Sequence, residues 1–238
     1  DDVMGVIEIL SSRREYTKLN PFIVLLGKGD HQITSSWTAP GLTNILTMLG
    51  ITRSNITFLG KGKDTTTILG GFGIDNLENI TFKHMTVINT SDLAHGLNFS
   101  SGIRMSNAKV ELFDVALKGC GHSGLYITNS TSETTLVATR CEFANSRFGA
   151  LVEGSLTSAK FNNCVFRENR EHGIIAFTNS TIHLHGEATA IHSNKSHGTW
   201  ASSSKVIFHL PSCHNTIYNN TREDRRTTSG GTITNVED

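Results

Sequence analysis

The sequence predicts an all-β chain, a single right-handed parallel β-helix of about eight coils, each built from three short strands. Three observations carry this fold class. A glycine-centred segment recurs at a near-constant interval, short apolar bursts fill the space between its copies, and a Ser-, Thr-, Asn- and Gly-rich composition shows no helical period. The recurring segment reads HGLNF at 95–99, SGLYI at 123–127, FGALV at 148–152, HGIIA at 172–176 and HGTWA at 197–201. Its glycines, Gly96, Gly124, Gly149, Gly173 and Gly198, are 28, 25, 24 and 25 residues apart. Asn145, Asn169 and Asn194 precede the last three by four residues, Asn219 follows 25 residues after Asn194, and Cys120 holds the equivalent place one repeat earlier. A polar side chain recurring at one turn can bond its own copies along the stack. Glycine beside it supplies a backbone conformation that other residues resist.

The elements follow in order. Residues 1–21 form a cap: Val3, Val6, Ile7 and Leu10 fall at helical spacing, with acids first and Arg13 and Arg14 late. A short amphipathic helix there would plug the open N-terminal end of the stack, whose strands would otherwise pair with other chains. Residues 22–220 form the coil, with an irregular first turn over 22–50 and regular ones over 51–73 and 74–96. Between glycines each repeat carries two more bursts, for example 110–113 with 115–117 and 159–161 with 164–166. Three strands per turn make a triangular coil whose rungs lie about 4.8 Å apart. The polar residues 221–238, with Arg222, Glu223, Asp224, Arg225 and Arg226 in a row, read as a solvated cap over the last coil. Cys120, Cys141, Cys164 and Cys213 make no CxxC pair or zinc spacing and read as reduced core thiols, Cys141 and Cys164 stacking one coil apart.

Composition bounds the partners. The 21 Lys and Arg residues balance 21 Asp and Glu, so no excess is available to neutralise nucleic-acid phosphates. No apolar run is long enough to span a membrane. Eight N-x-S/T sequons, at Asn55, Asn79, Asn89, Asn98, Asn129, Asn179, Asn194 and Asn219, point toward an extracellular or cell-surface setting, although turn chemistry alone produces many such triplets. The repeat leaves the oligomeric state open.

Strand alternation then assigns faces. After each glycine the first and third residues point inward: Leu97 and Phe99, Leu125 and Ile127, Ala150 and Val152, Ile174 and Ala176, Thr199 and Ala201. The residue between them points out and reads Asn98, Tyr126, Leu151, Ile175, Trp200, with Phe177 two places beyond Ile175. Tyr126, Leu151, Ile175, Phe177 and Trp200 are therefore expected to form one outward apolar strip across four coils, suited to stacking on sugar rings or to a protein partner. On the strand that precedes the asparagine turn, the outward residues are Glu111, Val137, Lys160, His183, His185 and His209. His95, His172 and His197 directly precede the turn glycine, with His122 one place earlier, and read as a solvated edge column rather than a metal site. No metal or cofactor is expected.

The Asn- and Gly-punctuated coils, with FIVLLGKGDHQI at 22–33, SNITFLGKGKDTTTI at 54–68, HLPSCHNTIYNN at 209–220 and GGTITNV at 230–236, resemble right-handed parallel β-helix repeat proteins, the pectin-lyase-like superfamily in its broad sense, and among them uncharacterised algal and protist members. The resemblance covers nearly the whole chain and implies the fold. It implies no one activity, because such proteins include lyases, hydrolases, epimerases, viral tailspikes and non-catalytic modules. Pectate-lyase-like members use clustered carboxylates to hold calcium, with an Arg or Lys as base, and the galacturonan hydrolases use two or three neighbouring aspartates. Here the coil aspartates are scattered, at Asp64, Asp75, Asp92 and Asp114, and no DD, DxD or RxK occurs between residues 51 and 220.

The first expectation is thus a non-catalytic binding or structural module that docks a polysaccharide or a protein through the aromatic strip. The alternative is a polysaccharide-active lyase, epimerase or hydrolase with an atypical site at Glu111, Lys160, His183 and His209. That alternative requires those four to converge in a groove with a further carboxylate. A viral or cell-wall spike that self-associates through its ends is a third reading.

Overall fold

The computed structural model describes residues 3–38, 45–90, 100–210 and 216–236. Asp92, His95, Leu97, Asn98, Phe99 and Cys213 lie outside the described residues. The strands form a parallel solenoid of about seven turns. The sequence repeat suggested about eight; the first turn is irregular, because Ser36–Thr38 pairs antiparallel with Ile45–Gly50 instead of continuing the coil. The first face stacks Ile56–Leu59, the front halves of Ile80–Ile88 and Lys109–Lys118, then Thr134–Thr139, Thr157–Asn162, Thr181–His185 and Lys205–His209. Gly29–Gln32 and Thr66–Leu69 begin the second face, followed by the rear halves of the two long strands and then Glu142–Ala144, Val165–Arg167, Ala190–His192 and Ile217–Tyr218. Gly71–Asp75, Ile103–Ser106, Ser123–Ile127, Phe148–Glu153, Ile174–Phe177 and Thr199–Ser202 make the third.

Single left-handed residues turn the corners. His84, Asp114, Arg140 and Asn163 share a φ of 53–56° between first and second faces. Asn145, Glu168, Ser193 and Asn219 share 55–57° after the second. One such residue bends the chain without interrupting the parallel ladder on either side. Inward residues fill the interior. Phe143 stacks on Phe166 at 4.6 Å between ring centroids, and Phe161 meets both edge-on. Cys120, Cys141 and Cys164 are buried free thiols, as their place in the repeat suggested.

The polar ladder is real but sits one residue off at two positions. Asn145 and Asn219 are the left-handed corner residues, and the ladder runs through Ser146, Asn169, Asn194 and Asn220. Asn169 Nδ2 donates to Asn194 Oδ1 at 2.8 Å, and Asn194 Nδ2 donates to Asn220 Oδ1 at 2.8 Å. Asn194 is wholly buried, which removes it as a glycan acceptor.

The glycine column is also re-registered. Gly102, not Gly96, precedes the strand paired with Ser123–Ile127, since Ile103 lies opposite Leu125. These glycines are needed for room rather than for a left-handed φ. A Cβ on Gly173 would come 2.7 Å from Gly198 O, 2.7 Å from Ile191 Cγ2 and 2.9 Å from Asn194 Nδ2. Gly173→Ala is therefore expected to cost about 1–3 kcal/mol through forced separation of two rungs. A urea titration would show this as a lower midpoint at unchanged slope; an unchanged midpoint would mean the rungs part freely.

The short N-terminal helix suggested by the sequence is present and spans Val3–Ser11, while the C-terminal end departs from the sequence reading. Ile7 enters the core, while Val6 and Leu10 stay exposed because two helical turns present one narrow stripe to the coil. Residues 221–236 are not a separate solvated cap. Arg225–Thr228 adds a parallel rung to the third face and Thr232–Val236 to the first, so polar strands finish the stack where one side meets water. Among the described residues no helix is long and apolar enough to cross a membrane.

Candidate functional site

The outward column of the third face runs, in register, through Arg104, Tyr126, Leu151, Ile175, Trp200 and Arg226. Rungs so close let large side chains lean over small ones. Leu151 and Ile175 are only 6% and 2% exposed and form, with Phe148, a small cluster outside the main core. Tyr126 and Phe177 pack against it. The strip is therefore not open along its whole length, as alternation alone suggested. Its half-buried outer rings are Tyr126, Phe177 and Trp200.

Each end of the column carries a cation over an aromatic ring. The Arg104 guanidinium sits 4.5 Å from the Tyr126 ring centre, and Arg226 lies 5.7 Å from that of Trp200. Tyr126 donates its hydroxyl to Glu153 Oε2 at 2.9 Å; burial and the nearby Glu153 charge raise the phenol's pKa well above its usual value. Trp200 Nε1 donates to Thr228 Oγ1 at 3.0 Å, and Phe177 meets the indole edge-on at 5.1 Å.

Beside Trp200 runs a stack of rings, Phe148 on His172 at 5.8 Å and His172 on His197 at 5.0 Å, the planes within 7° and 11° of parallel. His172 and His197 are buried, 6% and 3% exposed, which corrects the expectation of a solvated histidine edge. The corner here is tight, and neighbouring rings cover each imidazole. His172 Nδ1 accepts the backbone N–H of His197 at 3.2 Å, which requires that nitrogen unprotonated. Burial first, then the charge of His197, depresses the His172 pKa to about 4.

Between this stack and Trp200 opens a cleft of about 310 Å³. Arg170, Lys195, Arg222 and Arg226 line it, with Glu171 as the acid among the lining residues. Arg170 Nη2 is held by Gly121 O at 2.8 Å, and Arg226 lies 3.8 Å from Glu223. Arg226 Nε is buried with no hydrogen-bond partner among the described residues, as is Arg104 Nη1 at the far end of the column. Sequence reasoning missed both arginines. The register through Gly96 put Asn98 in the place of Arg104, and reading 221–238 as a cap removed Arg226 from the face.

The alternative site is partly assembled. Glu111, Val137, Lys160 and His183 share one outward column of the first face. Glu111 is three rungs from His183, about 14 Å at the usual strand spacing, and pairs instead with Lys18 at 3.7 Å. His183 and His209 do meet, Nδ1 to Nε2 at 2.9 Å. Burial, then His209 and Lys160, lowers the His183 pKa. So His183 and His209 meet, Lys160 lies opposite His183 on the adjacent rung, and the carboxylate of Glu111 stands apart from them.

A family model described as the right handed beta helix region matches residues 101–236. The chain belongs to the right-handed β-helix family. No curated protein matches it. Among solved structures, pectin methylesterase PemA from Erwinia chrysanthemi is similar at 14% identity over 98% of this chain and 88% of its own, with a TM-score of 0.54. ORF18 of Geobacillus virus E2 is similar at 11% identity over 90% of this chain, TM-score 0.51. The tailspike gp49 from Acinetobacter baumannii bacteriophage Fri1, a capsular polysaccharide depolymerase, gives 12% identity over 98% and also 0.51. The chain spans 52% of the virus protein and 43% of the tailspike. At these identities the likeness is one of fold.

Proposed function

We propose that this β-helix is a non-catalytic module that binds an acidic polysaccharide along its third face. The observation that carries the reading is Trp200 set beside a cleft that Arg170, Lys195, Arg222 and Arg226 line. An aromatic ring offers a flat surface to a pyranose, and guanidinium groups pair bidentately with carboxylates. The buried, unpartnered Arg226 Nε adds a donor that a ligand carboxylate would satisfy. Two of the fold relatives named above are a pectin methylesterase and a capsular polysaccharide depolymerase, which fits a glycan partner. The dispersal of Glu111 from His183 and His209 supports binding over the atypical-enzyme reading.

The test is a titration with polygalacturonate, with a neutral mannan as control. Trp200→Ala is expected to weaken binding about tenfold, about 1.4 kcal/mol. Arg226→Gln should weaken it similarly and flatten the dependence on salt. Equal affinity for the neutral polymer would remove the charge argument. Turnover of the polymer by the native chain, abolished in His183→Ala, would replace this reading with the enzymatic one.

A further inference from the structure

On the first face, away from the cleft, three imidazoles converge without a role in the reading above. Thr181–His185 carries His183 and His185 two residues apart on the outward side, and Lys205–His209 brings His209 into register opposite His185. The arrangement is a right-angled triangle of one strand's i and i+2 positions and the adjacent rung. One ring nitrogen from each lies within 4.8 Å of the others, and His183 Nδ1 and His209 Nε2 are 2.9 Å apart. Ligand nitrogens around a tetrahedral zinc with bonds of about 2.0–2.1 Å lie about 3.4 Å apart. The three rings are stacked within 28° of parallel, His185 on His209 at 4.0 Å between centroids, so binding requires the side chains to turn out of the stack until their in-plane lone pairs meet. All three are half-buried, reachable from solvent yet backed by the inward residues Ile182, Leu184, Val206 and Phe208.

We propose that His183, His185 and His209 bind one divalent first-row transition ion of the zinc type. An all-imidazole set is too soft and too poor in oxygen for calcium or magnesium, and suits zinc, cobalt, nickel or copper. Each ligating nitrogen offers its lone pair, so the proton shared between His183 and His209 moves to the other nitrogen of its own ring. Three protein ligands leave a fourth position for water or an incoming anion. Lys160, opposite His183 on the preceding rung, opposes the added charge and moderates the affinity.

The experiment uses the full chain, stripped with a chelator, titrated with Zn²⁺ by calorimetry and with Co²⁺ by its visible absorption. One equivalent should bind, with the absorption of a four-coordinate cobalt centre. His183→Ala, His185→Ala and His209→Ala should each weaken binding at least tenfold, while His192→Ala on the second face should not. Circular dichroism should show every variant folded, since all three side chains point away from the core. The proposal is overturned if the native chain takes up no ion at millimolar concentration, or if any of the three folded single variants binds as tightly as the native chain.

Discussion

Asn194→Ala should destabilise the coil by about 3–5 kcal/mol, more than any surface change and comparable to removing a core phenylalanine. The Asn194 side chain is wholly buried and uses both of its ends. Its Oδ1 accepts from the Asn169 backbone N–H at 3.1 Å and from Asn169 Nδ2 at 2.8 Å. Its Nδ2 donates to Phe166 O at 3.2 Å and to Asn220 Oδ1 at 2.8 Å. Alanine removes all four bonds. Asn169 Nδ2 keeps Phe143 O and Asn220 Oδ1 keeps the backbone N–H of residue 194, while the other partners lose theirs to this side chain, and each buried unsatisfied group costs about 1–3 kcal/mol before relaxation shares the loss. Asn194→Ser should fall between, because Ser146 occupies a ladder position and donates no more than a hydroxyl, accepting the Cys120 N–H at 3.0 Å. Equilibrium urea unfolding measures both. A loss below about 1 kcal/mol for the alanine variant would mean that water takes the vacated bonds and that the ladder is not a principal stabiliser.

The ladder also shows how far the sequence could be read. Period, fold and inward residues were legible because each repeat restates them: Leu125, Ala150, Ile174 and Thr199 occupy one buried line. Register within a corner was not, since Asn145–Ser146 and Asn219–Asn220 offer two adjacent polar residues for one left-handed place and one ladder place. Asn is chemically fit for either. The glycine register is similar: the spacing points to Gly96, whereas strand pairing places Gly102 before the rung opposite Ser123–Ile127. The candidate site suffered most from this. Tyr126 and Trp200 were named from alternation, but the flanking arginines and the burial of Leu151, Ile175 and His172 depend on side chains reaching between rungs. A linear pattern carries no information on that reach.

Acid should unfold this protein in a window set by histidines, well before its carboxylates matter. His122 and His172 both have pKa values near 4, burial being the first cause in each, followed for His122 by Arg147 and for His172 by His197. In the unfolded chain each titrates near 6.5. Between these values the unfolded state binds more protons than the folded one, so stability falls with pH by about 1.4 kcal/mol per unit for each group. The loss begins as pH drops below 6.5 and is complete near 4, reaching about 3 kcal/mol per histidine. Burial works against ionisation of Asp114 and Glu142 too, but hydrogen bonds from His84 and Lys63, and from Lys118 and Arg167, outweigh it and lower both pKa values. Their contribution therefore disappears only below the ordinary carboxylate range, leaving the interval from 6.5 to 4.5 to the histidines. Urea midpoints at pH 7.5, 5.5 and 4.5 should decline steadily, and a His122→Gln, His172→Gln double variant should flatten the decline. A stability independent of pH across that interval would show that the stack tolerates imidazolium. In that case the His172 Nδ1 bond to the His197 backbone N–H is dispensable, and the imidazoles beside Trp200 would add positive charge to the cleft in acid rather than loosen its wall.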